Sequence, residues 1–196
     1  PITAPSHHKL KKGSLTMKRE ECRQIATEAF ALYEKAHIVL TEEEKAHLEI
    51  TDYALGNVRE TGTEIILYVN TPRCCAKEMA LLPFQTCPEH RHPAVLGQEG
   101  KEETFRCRYG KVYLYVEGEP TEAIQGTIPE GYEDCFTCRH EIVLTPGEQY
   151  TIRPNTLHWF QAGSEGAVVS EFSTKSRDEY DIYTDKRIDA AGKRNV

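Results

Sequence analysis

Residues 103–116 read Glu103-Thr104-Phe105-Arg106-Cys107-Arg108-Tyr109-Gly110-Lys111-Val112-Tyr113-Leu114-Tyr115-Val116. Both halves are rich in β-branched and aromatic residues, which predicts strands at 103–108 and 111–116 joined by a tight hairpin at 108–111. Six further segments after residue 52 have the same composition and are bounded by Gly, Pro or Asn: residues 63–69, 78–82, 141–144, 149–152, 156–161 and 167–173. Eight strands with no helical pattern between them predict a mainly β protein, a barrel or a sandwich.

The N-terminal part of the chain has a different pattern. Between residues 19 and 36 the apolar residues recur at helical spacing, which predicts an amphipathic helix. Thr41 and the three glutamates after it have the form of a capping box and predict a second, short helix. Residues 1–16 are polar and aperiodic, and we expect a disordered leader or a cloning remnant there. The prediction is therefore one domain over 17–196, with helices at about 17–50 packed on the barrel.

The composition excludes several classes of function. The chain has 196 residues, 39% of them hydrophobic and 28% charged, and a formal net charge of −7. Because nucleic acids and anionic membranes attract basic surfaces, this balance argues against both as partners and favours a small neutral or cationic ligand. No apolar run is long enough for a membrane span or a signal peptide, so we expect a cytoplasmic protein. The seven cysteines are irregularly spaced, and we expect them to be reduced.

Four residues have the types and the spacing of a metal site. In His90-Arg91-His92 a strand would turn both imidazoles to the same face. Glu103 follows soon after, and His158 lies 55 residues beyond it. Imidazole and carboxylate ligands suit a divalent first-row transition metal, and four of them leave two octahedral positions for water or substrate. Each residue alone is weak support, since single histidines and glutamates usually have other roles.

The same region resembles the motifs of the cupin superfamily, antiparallel β-barrels of the jelly-roll type (a double-stranded β-helix) with one metal inside. Glu103 and Gly110 match the Glu-x6-Gly part of the first motif, and residues 147–158 match half of the second. Residues 93–102 form an insertion between His92 and the glutamate. Asn155 stands where cupins usually have Gly, and Asn also tolerates a left-handed turn.

A closer resemblance covers nearly all of residues 17–188. It is carried by Cys87-Pro88-Glu89-His90-Arg91-His92-Pro93, by the run from Gly97 to Gly118, and by Leu157-His158-Trp159-Phe160-Gln161-Ala162-Gly163. These segments are similar to the D-lyxose isomerases, bacterial cupins that interconvert aldoses and ketoses. The resemblance implies Mn²⁺, with Co²⁺ or Fe²⁺ as possible substitutes, held by His90, His92, Glu103 and His158. It also implies interconversion of D-lyxose with D-xylulose and of D-mannose with D-fructose, and a homodimer.

Two residues are candidates for proton transfer. Glu171 is the only carboxylate in the apolar run from Val168 to Phe172, and a carboxylate that loses hydration there would suit a catalytic base. The alternative is a surface glutamate on an edge strand. Lys101 lies two residues before Glu103 and could share its face and donate a proton or a hydrogen bond. The alternative for Lys101 is the solvated end of the inserted loop.

Three residues are candidates for contacts with the sugar. Trp159 neighbours the third histidine, although alternation turns Trp159 and Phe160 to opposite faces and so places one of them in the core. Arg177 and Asp181 lie in a charged tail that could fold over the barrel mouth. The long aperiodic segment 117–139 is a candidate lid over the site.

Two other classes of function remain open at this stage. Three histidines and a glutamate also suit an iron-dependent cupin dioxygenase. A non-catalytic sugar-binding cupin would retain the barrel without the chemistry. A phosphorylated substrate is disfavoured, since alternation should turn Arg106 and Arg108 away from the face of Glu103.

Overall fold

The computed structural model describes residues 19–188, which contain two α-helices, nine strands and two short 3₁₀ helices. The helices are α1 (Arg19–Lys35) and α2 (Glu42–Ala46). The strands are β1 (Glu49–Thr51), β2 (Thr63–Asn70), β3 (Cys75–Leu81), β4 (Thr86–Arg91), β5 (Glu103–Val116), β6 (His140–Leu144), β7 (Gln149–Ile152), β8 (His158–Ser173) and β9 (Ile182–Tyr183). The 3₁₀ helices are Glu133–Cys135 and Asp178–Tyr180. The predicted leader, residues 1–16, lies outside the described range, as do both ends of the predicted domain.

The two longest strands, β5 and β8, run through the whole barrel side by side. They pair antiparallel from Glu103 opposite Ser173 to Val116 opposite His158. Their Glu103 and Ser173 ends form one sheet in the order β1-β2-β3-β8-β5-β7, and their Val116 and His158 ends form another in the order β9-β4-β8-β5-β6. Because the same two strands cross both sheets, the sheets curl around one interior. The predicted cupin-like β-barrel with N-terminal helices is confirmed.

The predicted hairpin at 108–111 is wrong, because β5 runs through it without reversing. Gly110 bends the strand instead: its φ is +70°, and a side chain there would come within 2.0 Å of the Gly166 carbonyl oxygen. Pairing with β8 shifts register on both sides of the bend, as at a β-bulge. The predicted strands 156–161 and 167–173 are likewise parts of the single strand β8.

Apolar side chains fill two layers. One cluster lies inside the barrel and includes Phe105 and Phe160. The other lies between α1 and the outer face of the sheet, where Ile25 and Leu32 pack with Ile66. Burial of the apolar face holds α1 in place, as its helical spacing predicts.

Two local predictions, the capping box of α2 and the left-handed turn at Asn155, are also confirmed. The hydroxyl of Thr41 accepts a hydrogen bond from the Glu44 N–H while the Glu44 carboxylate accepts one from Thr41, which is the predicted capping box of α2. Asn155 has a φ of +61°, the left-handed conformation that its place in the motif predicts. Within residues 19–188, no helix has both the length and the apolar character needed to cross a bilayer.

Glu64 is a buried carboxyl group on the side of β2 that faces α1. It has no exposed surface, and Gln85 donates a hydrogen bond of 2.9 Å to one of its oxygens. The other oxygen, Oε2, has no hydrogen-bond partner among the described residues. Burial raises the pKa of Glu64 from 4.5 to about 8. The native state therefore favours the neutral acid.

We expect Glu64→Gln to stabilise the protein at alkaline pH. Between about pH 4.5 and pH 8 the native state keeps a proton on Glu64 that the unfolded chain has lost, so the free energy of unfolding falls as pH rises. The amide stays neutral, and the variant should gain about 3 to 5 kcal/mol over the wild type at about pH 9 but little at about pH 5. Urea unfolding at both pH values measures this. Glu122→Gln, at an exposed position, is the control, and an equal pH dependence for Glu64→Gln and wild type would contradict the prediction.

Candidate metal centre and active site

The four predicted metal ligands converge in the interior of the barrel. His90 on β4 lies directly opposite His158 on β8, and Glu103 is the first residue of β5. His92 follows β4 by one residue. All four side chains are buried, and one ligand atom from each lies within 4.8 Å of the others. This cluster could bind a metal ion.

The hydrogen bonds of the three imidazoles fix which nitrogen faces the cluster. Nδ1–H of His90 donates to the Pro88 carbonyl (2.7 Å), and Nδ1–H of His158 donates to the Thr156 carbonyl (2.9 Å). Nδ1–H of His92 donates to the Asp181 carboxylate at 2.6 Å. The Nε2 of each ring then faces the cluster, and that of His92 lies 3.0 Å from Glu103 Oε1. Outer partners of this kind orient metal-binding imidazoles.

His158 has a buried ring nitrogen whose surroundings fit a metal ion. Its Nε2 is buried and lies 3.0 Å from Glu103 Oε1, yet outside hydrogen-bond geometry, so it has no hydrogen-bond partner among the described residues. A buried, unpartnered nitrogen is costly unless another group satisfies it. A divalent cation between Glu103 and the imidazoles would do so.

The charges around the cluster also fit a divalent cation. The cavity wall carries two ammonium groups and five carboxylates: Lys77, Lys101, Glu49, Glu103, Glu171, Asp178 and Asp181. With the imidazoles in the neutral form that coordinates metals, the surplus is three negative charges, which a divalent ion would largely balance.

The pKa values of the candidate ligands reflect the charged groups around them. Burial and the neighbouring imidazoles hold the pKa of His90 well below its usual range. Burial and Lys101 lower the pKa of His92, but the carboxylates of Glu103 and Asp181 outweigh them and raise it to about 9. Burial raises the pKa of Glu103, yet Lys101 and His92 outweigh it and hold that pKa well below its usual range. The cluster therefore has a carboxylate ligand and attracts positive charge.

Glu171 and Lys101 both face the interior, so their surface alternatives are wrong. Glu171 is 2% exposed and Lys101 7% exposed. The Lys101 ammonium lies 2.6 Å from Glu103 Oε2 and 3.2 Å from Glu171 Oε1, and so bridges a candidate metal ligand and the candidate base. The neighbours of Glu171 are thus ammonium groups, where the sequence predicts apolar surroundings. Burial lowers the pKa of Lys101, but Glu103 and Glu171 outweigh it and raise it well above its usual range, so Lys101 is a cation and not a base.

The three predicted sugar contacts have different positions. Asp181 lines the cavity and orients His92. Arg177 lies outside the cavity, where its guanidinium donates to Gln98. Trp159 does not line the cavity either, which corrects that prediction: it is fully buried on the other face of β8 and stacks on Tyr115, with ring centroids 3.8 Å apart. Phe160 is the one that faces inward.

The predicted lid is also corrected. No residue of segment 117–139 lines the cavity. Phe136 packs on Trp159, with centroids 4.8 Å apart, and the Trp159 indole donates to the Cys138 carbonyl. Because this segment covers the face of β8 that Trp159 occupies, it covers the outside of the barrel wall. The segment that lies against the site is instead 174–183, which includes Asp178 and Asp181.

The cavity beside the cluster has a volume of about 70 Å³ and a mixed lining. Part of the lining is the charged groups named above. The rest is mainly aromatic and apolar: Tyr53, Ile65, Met79, Phe105, Phe160 and Tyr183. Tyr183 also stacks on the His90 ring, with centroids 5.3 Å apart. A lining that combines charged and aromatic groups suits a small polyhydroxylated ligand.

Lys77 is the main cavity residue that the sequence did not predict. It lies on β3 next to Glu171 in the register and is 7% exposed. The predicted strand began one residue later, at 78, although Cys75, Lys77, Met79 and Leu81 alternate on the inward face. Extending that alternation by two residues would have placed Lys77 beside Met79.

Comparison with known proteins decides the family. No protein-family model matches the chain. A D-lyxose/D-mannose isomerase of Thermosediminibacter oceani is 58% identical over 172 residues, which cover 88% of this chain and 95% of that protein. A D-lyxose ketol-isomerase of Cohnella laeviribosi is 55% identical over 173 residues, with 88% and 95% covered. The chain belongs to the D-lyxose isomerase family.

Members of the D-lyxose isomerase family are sugar isomerases, and this protein is therefore an enzyme of that class. Its barrel is also similar to solved structures of L-ribose isomerases. The Cellulomonas parahominis enzyme has a TM-score of 0.72 at 17% identity, with 92% of this chain and 97% of that chain covered. The Acinetobacter sp. DL28 enzyme has a TM-score of 0.73 at 16% identity. At such identities the similarity concerns the fold.

Proposed function

We propose that the protein interconverts D-lyxose with D-xylulose, and D-mannose with D-fructose, through a cis-enediol. The observation that carries the proposal is the position of Glu171, a buried carboxylate linked through the Lys101 ammonium to a histidine and glutamate cluster. The names of the two relatives, a D-lyxose/D-mannose isomerase and a D-lyxose ketol-isomerase, supply the substrates.

We propose Mn²⁺ as the metal, with Co²⁺ or Fe²⁺ as substitutes. His90, His92, Glu103 and His158 would hold it through three imidazole nitrogens and one carboxylate oxygen. The donor set and the surplus of negative charge around it support a divalent ion, and donor chemistry alone leaves the choice among first-row metals open. When bound, the ion supplies Lewis-acid stabilisation of the negative charge that develops on the sugar oxygens.

Glu171 is the proposed base. It takes the proton from C2 of the aldose, the electron pair of that C–H bond forms the double bond between C1 and C2, and the carbonyl π pair moves to O1. The proton of the C2 hydroxyl passes to O1. As the carbonyl forms at C2, the double-bond pair takes the first proton back from Glu171 at C1. Lys101 remains a cation and stabilises the negative charge of the enediol oxygens.

The cavity wall supports a free sugar as substrate. Both ammonium groups on it already face carboxylates: Lys101 faces Glu103 and Glu171, and Lys77 faces Glu171 and Asp178. A phosphate group would have to compete with these carboxylates. The aromatic side chains of the lining can pack on the C–H face of a sugar.

The cellular location and the oligomeric state of the enzyme are further parts of the proposal. We propose that it acts in the cytoplasm as a homodimer, and gel filtration with light scattering measures its oligomeric state. The dioxygenase and the non-catalytic alternatives have no support from the relatives, which carry the names of isomerases.

An aldose panel tests the proposed function. The purified protein is stripped of metal, reloaded with Mn²⁺, Co²⁺ or Fe²⁺, and assayed without oxygen on D-lyxose, D-mannose, L-ribose and a phosphorylated aldose. We expect ketose formation from D-lyxose and D-mannose, restored best by Mn²⁺. Absence of ketose from every aldose, or much faster turnover of the phosphosugar, would contradict the proposal.

A further inference from the structure

Lys77 is a buried ammonium group that the proposed reaction does not yet use. Its side chain lines the cavity from β3 and is directly opposite Glu171 of β8 in the register. Phe105 of β5 is the neighbour of Glu171 on the other side. Lys77, Glu171 and Phe105 therefore form one row across three strands on the inward face.

The ammonium of Lys77 joins Glu171 to the C-terminal segment 174–183. It donates hydrogen bonds to Ser176 Oγ (3.1 Å) and Asp178 Oδ2 (3.3 Å), and it lies 3.7 Å from Glu171 Oε2. Ser176 is itself anchored to β2, because its backbone N–H and C=O each bond to the Asn70 amide at 3.1 Å. Lys77 thus lies where a fixed segment meets the candidate base.

The two oxygens of the Glu171 carboxylate face different cations. Oε1 lies 3.2 Å from the Lys101 ammonium and accepts a hydrogen bond of 2.8 Å from Ser173. Oε2 faces Lys77. Without Lys77, the contacts within residues 19–188 would hold the carboxylate at Oε1 only, and it could rotate about its Cγ–Cδ bond.

A stability role alone accounts poorly for this lysine. Burying an ammonium is costly, and a well-packed apolar side chain of similar volume is often at least as stable at such a position. Burial lowers the pKa of Lys77, but Glu171 and Asp178 outweigh burial and leave it raised. The position therefore keeps a positive charge beside the carboxylate.

We propose that Lys77 is a positioning residue for sugar isomerisation, which holds Oε2 of Glu171 so that the carboxylate stays oriented between two ammonium groups. The inference rests on the proposed function, because it takes Glu171 as the base. Lys77 acts through Glu171 and does not itself carry the transferred proton. A misdirected base slows proton transfer far more than it weakens sugar binding.

A double-mutant cycle tests this proposal. Lys77→Met, Glu171→Gln and the double variant are compared with wild type for kcat, KM, metal content and melting temperature. The kinetic isotope effect on kcat is measured with D-lyxose deuterated at C2. Lys45→Met, which removes a lysine that pairs with Glu42 on α2, is the matched control. If Lys77→Met does not fold, Lys77→Gln replaces it in the cycle.

We expect Lys77→Met to lower kcat about 10- to 100-fold, with KM within about 3-fold of wild type and a larger isotope effect. Metal content should stay at the wild-type level, and the substitution should cost nothing further in the Glu171→Gln background. Equal losses in both backgrounds, or a raised KM with an unchanged isotope effect, would overturn the role of Lys77 and leave Glu171 as the base. Full activity of Glu171→Gln would instead overturn the base assignment, and with it the inference.

Discussion

Glu171→Gln should lower kcat for D-lyxose by about 10²- to 10⁴-fold, the range typical for loss of a general base. The amide keeps the size of the side chain but cannot take the proton from C2. Lys101 and Ser173 can still donate to its carbonyl oxygen, so the fold and the cavity should survive. Steady-state kinetics measures the loss. Transfer of the C2 hydrogen, followed by NMR with labelled substrate, should slow by the same factor.

The control for this variant is Glu165→Gln. Glu165 lies on the same strand, β8, but is exposed, so its replacement should leave kcat unchanged. Both variants should bind as much metal as wild type. If Glu171→Gln loses its metal or its melting temperature falls sharply, the carboxylate has a structural role; if it keeps wild-type activity, another group is the base.

Removal of the metal should abolish isomerisation and lower the melting temperature. Three imidazoles and Glu103 surround a buried place with a surplus of negative charge, which a bound divalent ion stabilises in the native state only. At a free ion concentration about 1,000 times Kd this linkage contributes about 4 kcal/mol, or on the order of 10 °C in Tm. Calorimetry and elemental analysis before and after chelation, with Mn²⁺ added back, measure both effects.

A histidine substitution separates binding of the ion from other effects of the chelator. His92→Ala should bind less than one ion per chain and show no Tm shift on addition of Mn²⁺. His47→Ala, at an exposed histidine that follows α2, should behave as wild type. If chelation leaves the activity and Tm of the wild type unchanged, the cluster is not a metal centre.

Local spacing was enough to predict much of the protein. The apolar period of α1 and the capping box at Thr41 are properties of neighbouring residues, and both are confirmed. His90 and His92 converge because a strand turns alternate side chains to one face, and this geometry holds whatever the strand pairs with. The resemblance over residues 87–118 then predicted the family, which relatives at 58% and 55% identity confirm.

The alternation of side chains along a strand does not show which face of the strand points into the barrel. It separates Trp159 from Phe160 but does not tell which points into the cavity, and the prediction placed the wrong one there. At Gly110 composition cannot distinguish a reversal of the chain from a bend, since both need a left-handed residue. Because β5 pairs with β8 on both sides of Gly110, the chain bends there and does not reverse.

The histidine and glutamate cluster, the helices and the class of fold were thus accessible from the chain alone, because each depends on residues close together in sequence or on a recognisable motif. The environment of the candidate base was not. Lys77 meets Glu171 through the register of β3 on β8, and Asp181 meets His92 through the course of the segment after β8. Contacts between residues about 90 positions apart depend on strand register and loop course, which only the packing of the whole barrel decides.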